Sequence, residues 1–157
     1  MLEKLRKAMK TADIDMLLIP SADPHGSEYP EEYFKARKHF SGFTGSAGTL
    51  LIWQGGAGLW TDGRYFIQAA RQLEGSGIDL FKMREPGVPT VNEFIAENIR
   101  GGVLGADLRT VSAHEGMELE KGGAILKDCR SLIDGCWEGR PELSREPAYV
   151  LPMELAG

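Results

Sequence analysis

Segments with a helical period alternate with short apolar runs along most of the chain, and this alternation limits the possible folds more than any other feature. Leu2, Leu5, Met9 and Ala12 fall at spacings of three, four and three, one stripe of an amphipathic helix over the first dozen residues. Residues 15–20 then read as a short buried strand halted by Pro20. After a polar loop, Pro30 suits the first turn of a helix, with Glu31 and Glu32 at its positive end. Tyr33, Ala36, Arg37 and Phe40 share one face of it.

The run from Ser41 to Gly48, SGFTGSAG, places three glycines in eight positions. Residues 48–53 and 58–61 read as two strands of a hairpin, turning at Gly55–Gly56 with a loop slightly longer than the tightest type. Asp62 is placed to cap a helix reaching Leu73, with Phe66, Ile67, Ala70 and Leu73 inward. Residues 79–83, 103–106 and 124–127 read as further strands. Two helices open on capping boxes, Thr90 to Glu93 and Ser112 to Glu115, and residues 132–137 form a short last helix. This order predicts one α/β layer structure, its sheet mixed because of the central hairpin. Residues 1–137 form the domain. Residues 138–157, with three prolines and little periodicity, read as a linker.

Composition removes several function classes. With 42% hydrophobic and 26% charged residues in 157, the chain can bury a core, so disorder is excluded. A formal net charge of −5 argues against nucleic-acid binding, which needs a basic face. No apolar run approaches the ~20 residues a membrane helix requires. The first ten residues lack the apolar stretch of a secretory signal. Cys129 and Cys136 make no metal or redox motif and read as reduced thiols.

Few constellations offer chemistry. The glycine-rich run lacks a following Lys-Ser/Thr and precedes a strand, so a tight turn explains it better than a phosphate cradle. His114 and Glu115 resemble half of a zinc helix motif, but Glu118 stands where the second imidazole belongs. Asp23, His25 and Glu28 share one polar loop, where Asx-type hydrogen bonding is the simpler role for Asp23. No Ser/His/Asp or Cys/His triad can be assembled.

The most informative segment is Thr61-Asp62-Gly63-Arg64-Tyr65, where a strand ends and a helix begins. Arg64 stands in the first helical turn, against the dipole. Either it grips a ligand carboxylate or it pairs with a neighbouring acid.

Three blocks carry a family resemblance: SADPHGSEY, Arg37 through Thr49 around SGFTGSAGT, and LWTDGRYFIQAARQL. Together they closely resemble the N-terminal domain of Xaa-Pro aminopeptidases of the creatinase/prolidase superfamily, most of all the long, three-domain cytosolic form. The similarity continues through LIDGCWEGRP and EPAYVLPMELAG. The resemblance implies a mixed six-stranded sheet flanked by helices, with ribonuclease-H-like topology. It also implies that the chemistry lies in a C-terminal domain absent from this chain, where two divalent metals, manganese in most relatives, activate a hydroxide. The fragment itself would then hold no metal and no catalytic residue, and would be inactive alone. Implied partners are that catalytic domain, short proline-containing peptides and a second copy in a homo-oligomer, in the cytoplasm. Arg64 matches an arginine that reaches toward substrate in related enzymes, so the resemblance makes it a substrate-binding residue. A purely structural shielding and assembly role, or a prolidase or creatinase reaction, stands as the alternative.

Overall fold

The computed structural model describes residues 1–147 and 149–155. Its elements are α1 (Leu2–Thr11), β1 (Met16–Pro20), α2 (Ala36–Ser41), β2 (Thr49–Trp53), β3 (Gly56–Thr61), α3 (Phe66–Gln72), β4 (Asp79–Lys82), α4 (Val91–Ile99), β5 (Val103–Ala106), α5 (Ala113–Lys121), β6 (Ile125–Asp128) and α6 (Arg130–Cys136). The six strands form one sheet in the order β4-β3-β2-β1-β5-β6. β2 runs antiparallel to both β1 and β3, and the remaining pairings are parallel. The expected mixed six-stranded α/β architecture is therefore present.

Both faces of the sheet are covered, which explains the unbroken apolar run of β1. Leu17 and Ile19 point into a core with Leu5 and Met9 of α1, Phe40 of α2, Ala69 of α3 and Ile133 of α6. Met16 and Leu18 point the other way, into a core with Ile95 and Ile99 of α4 and Leu119 of α5. β2 divides likewise, Leu50 and Ile52 against Leu51.

Both capping boxes form. Thr90 Oγ1 accepts from Glu93 N while the Glu93 carboxylate accepts from Thr90 N, and Ser112 and Glu115 repeat the arrangement.

Four local expectations are corrected. The helix expected from Pro30 is divided into a 3-10 turn, Glu32–Phe34, and α2, with Lys35 between them at φ −83°, ψ 35°. The hairpin is tighter than expected: Trp53 pairs with Gly56 across only Gln54 and Gly55. α3 starts at Phe66, with Tyr65 rather than Asp62 at its N-cap. Its inward side is consequently Ala69 and Leu73, whereas Ile67 is 74% exposed and Ala70 is also outward.

Beyond α6, the described residues contain one further 3-10 turn, Met153–Leu155. Arg140 pins the start of this stretch. Its Nε and Nη2 donate to Tyr33 O at 3.0 and 2.8 Å, and its guanidinium lies 3.7 Å from the Tyr33 ring centroid.

Candidate functional site

The strand directions gather six loops at one edge of the sheet. β1, β3, β4, β5 and β6 end there, at Pro20, Thr61, Lys82, Ala106 and Asp128, and β2 begins there at Thr49. Loops at the carboxyl ends of parallel strands are the usual place for ligands in α/β sheets.

The wall of this edge is the SGFTGSAG segment. Gly42 ends α2 at φ 72°, a left-handed conformation that suits glycine. A Cβ on Gly45 would lie 2.3 Å from Phe43 Cζ and 2.8 Å from Tyr65 Cδ1, so that position requires close backbone approach. The tight-turn reading of the glycines therefore holds.

Arg37 fastens the segment. It is 6% exposed, and it donates from Nε to Ser21 Oγ at 2.8 Å and from Nη1 and Nη2 to Phe43 O and Gly45 O, both at 2.5 Å. All three acceptors are neutral. Burial without a carboxylate lowers its pKa to about 10. The signal for this role was an arginine on an apolar helix face just before a loop whose carbonyls need donors.

Arg64 stands across the cleft. Its Nε donates to Asp62 Oδ1 and its Nη2 to Asp62 Oδ2, each at 2.9 Å, while Asp62 Oδ1 also accepts from Arg64 N at 3.0 Å. This Asx turn is what Asp62 does in place of capping α3. The Arg64 guanidinium holds the Asp62 carboxyl below the usual range, with Arg84 adding to the effect. Tyr65 donates to or accepts from Ser46 Oγ at 2.8 Å, joining the TDGRY turn to the glycine-rich segment.

The same Asp-x-Arg brace occurs at two other strand ends. Asp107 accepts from Arg109 N, Nε and Nη2 after β5, and Asp128 accepts from Arg130 N and Nε at the end of β6. The ion pair expected as one reading of Arg64 is thus a recurring way to close a strand end in this chain. What distinguishes Arg64 is its exposure. Its side chain is 67% accessible, against 49% for Arg130 and 27% for Arg109, which packs over Tyr33 and Phe34. Arg64 lines a cavity of about 640 Å³ together with Gly48, Thr49, Asp62, Met83 and Arg84. It also lines an adjoining one of about 350 Å³ that contains Ser21, Glu28 and Ser46.

The other candidates take structural roles. Asp23 Oδ1 accepts from His25 N and Ser27 N at 2.9 and 3.0 Å, the Asx loop expected of it. Glu118 pairs with Lys121 at 2.5 Å on the exposed side of α5. Among the described residues no group of three or more His, Cys, Asp or Glu side chains is placed to hold a metal ion. Both cysteines are buried and unpaired, and burial pushes their thiols up. No helix among the described residues is long and apolar enough to cross a membrane.

Fold and cleft together define a class of protein: a mixed α/β domain that presents exposed arginine at its strand ends. The chain belongs to the creatinase/prolidase N-terminal domain family, whose model matches residues 1–136. It is 42% identical over 163 residues to a probable Xaa-Pro aminopeptidase P of Coccidioides posadasii (strain RMSCC 757 / Silveira), covering 99% of this chain and 26% of that protein. Against the probable Xaa-Pro aminopeptidase P of Tuber melanosporum the identity is 41%, with the same coverage. Among solved structures, X-prolyl aminopeptidase from Caenorhabditis elegans, described as a cytosolic enzyme with a di-nuclear active site, superposes with a TM-score of 0.83 at 33% identity. That match covers 98% of this chain and 28% of the other. The N-terminal domain of a cytoplasmic peptidase from Mycobacterium tuberculosis shares the fold, with a TM-score of 0.62 at 22% identity over 87% of this chain and 97% of that one. The chain thus spans about a quarter of the length of the curated relatives it matches.

Proposed function

We propose that this chain is the N-terminal, non-catalytic domain of a metal-dependent Xaa-Pro aminopeptidase, an enzyme that removes the residue preceding proline. The observation that supports this most strongly is similarity along essentially its whole length to enzymes of that name, in sequence and in fold. The domain, residues 1–137, borders the active-site cleft with its strand-end loops. Residues 138–157 lead to the following domain, and Arg140 near their start is clamped on Tyr33. In this reading two divalent ions, manganese, would be held by the catalytic domain and would supply Lewis-acid activation of water there. The di-nuclear active site named for the worm enzyme supports the number of ions in this reading. Its cytosolic description likewise supports a cytoplasmic location.

Arg64 is the substrate-binding residue of this piece. Its guanidinium is exposed, planar and held in orientation by Asp62, so it can share its outward N–H groups with a peptide carbonyl or carboxylate. The domain also contributes to subunit contacts in a homo-oligomer.

The test uses the protein that carries this domain in its full length. Supplied with Mn²⁺, it is expected to release arginine from Arg-Pro-Pro and to leave creatine intact. The 157-residue chain alone is expected to leave the peptide whole. Turnover of creatine, or hydrolysis confined to Xaa-Pro dipeptides, would replace this reading with another reaction of the superfamily. Turnover by the isolated chain would refute its non-catalytic role.

A further inference from the structure

The strand ends of this sheet carry four arginines, and one of them is unlike the rest. Arg64, Arg109 and Arg130 each follow an aspartate by two positions and pair with it. Arg84 follows the end of β4 in the same way, but Lys82 stands where the aspartate would be. Among the described residues the Arg84 guanidinium makes no ion pair.

Its backbone is also held against preference. Glu85 N donates to Lys82 O at 3.1 Å, closing a turn with Met83 and Arg84 at its centre. Only the second central residue has positive φ, 70° at Arg84, which is the type II pattern and favours glycine there. The next turn, closed by Val88 N on Glu85 O, has the preferred pair: Pro86, then Gly87 at φ 79°. One loop thus repeats the same turn with and without the favoured residue. Arg100 also has positive φ, at 44°, but it ends α4, where a cation suits the helix dipole. Arg84 has no such compensation. A side chain kept where glycine would be more stable points to a use for that side chain.

The use follows from its place. Arg84 and Arg64 line the same cavity of about 640 Å³, and Asp62, already engaged by Arg64, is the one acid in its lining. The lining therefore carries a net positive charge in a chain whose formal charge is −5. We propose that Arg84, beside Arg64, forms a carboxylate subsite in the strand-end cleft, and that its ligand is the C-terminal carboxylate of a short peptide. The choice of a peptide carboxylate rests on the aminopeptidase reading above. A short substrate brings one carboxylate, at the end remote from the bond that breaks.

The experiment compares Arg-Pro-Pro with its C-terminal amide in the full-length enzyme and its Arg84→Gly variant. The unaltered enzyme is expected to favour the acid by about tenfold in kcat/KM, the low end for a charge-assisted contact at an exposed site. In Arg84→Gly that preference should fall to about twofold or less, the acid losing more than the amide, and Arg84→Lys should restore part of it. The melting temperature of Arg84→Gly should rise, since the turn gains its favoured residue; a merely structural arginine would lower it. An acid preference equal in both proteins, or absent from the unaltered enzyme, would overturn the proposal. If neither peptide is cleaved, the aminopeptidase reading fails, and the subsite is judged separately by titrating the 157-residue chain with Pro-Pro and Pro-Pro amide. Movement of the Arg84 Nε NMR signal by the acid alone supports the subsite, and no movement with either refutes it.

Discussion

Replacing Arg37 by Met should destabilise the domain by about 2–4 kcal/mol while leaving its secondary structure in place. The side chain is nearly fully buried, and its guanidinium supplies donors to Phe43 O, Gly45 O and Ser21 Oγ. Ser21 keeps its own donation to Gly48 O, at 2.8 Å, so it retains a partner in the variant. The two carbonyls lose theirs, at about 1–3 kcal/mol each for a buried orphaned group. The guanidinium also lies 4.9 Å from the Phe43 ring centroid, a contact worth about 0.5–2 kcal/mol. Against this, the variant no longer buries a cation that has no acidic partner, which returns a few kcal/mol. The loss is therefore smaller than the separate contacts suggest. Urea unfolding followed by tryptophan fluorescence reads it directly. With a slope of about 1–3 kcal/mol/M, the midpoint should fall by roughly 1–2 M. Arg37→Lys should recover less than half, because an ammonium cannot reach two carbonyls and a hydroxyl with one planar fork. A midpoint for Arg37→Met within ~0.3 M of the unaltered protein would refute the reasoning that Arg37 fastens the glycine-rich wall.

Two further outcomes follow from the same structure. His39 stacks on Trp137 with centroids 4.4 Å apart, and burial lowers its pKa. Its folded pKa lies below the unfolded value of about 6.5, so the unfolded chain takes up the proton first as pH falls. Stability should be full above that value and decline as the pH drops toward the folded pKa; His39→Gln should flatten this part of the stability–pH curve, and a slope that survives the substitution would assign it to another group. Thr90→Ala and Ser112→Ala should each cost about 1 kcal/mol in the same urea assay, because each removes the acceptor of a formed capping box.

The readable parts of this fold are those written locally. Both capping boxes lie within four consecutive residues, and β1 announces its central place by being apolar on both sides. The errors arise where a distant or competing contact decides. Asp62 looked like the cap of α3, but its carboxylate accepts from Arg64 N and side chain, which delays the helix to Phe66. That shift turns Ile67 and Ala70 outward and Ala69 inward. Lys35 interrupts the helix expected from Pro30, in a region where Tyr33 is held by Arg109 and Arg140 from later in the chain. Nothing within a window around Tyr33 reports those partners.

The candidate site was legible in one residue and its context. Arg64 was singled out by its position at a strand end, and the structure shows its ion pair with Asp62 and its exposed place in a cleft. The Asp-x-Arg pattern at positions 62, 107 and 128 was present in the sequence and would have shown the ion pair to be a general device of this chain. Arg84 was not legible, because Lys-Met-Arg-Glu carries no turn signal and only the backbone shows a second turn beside Pro-Gly. The role of Arg37 needed the fold, because its acceptors lie on a loop that only a closed sheet brings within reach.

Steady-state kinetics of Arg64→Ala in the intact enzyme probe most directly whether this domain touches what the enzyme cuts. On Arg-Pro-Pro, kcat/KM should drop by about one to two decades while the subunit assembly and unfolding midpoint stay as they were. Kinetics identical to the unaltered enzyme would remove Arg64 from the substrate's path, and with it the claim that these strand ends form a wall of the active-site cleft.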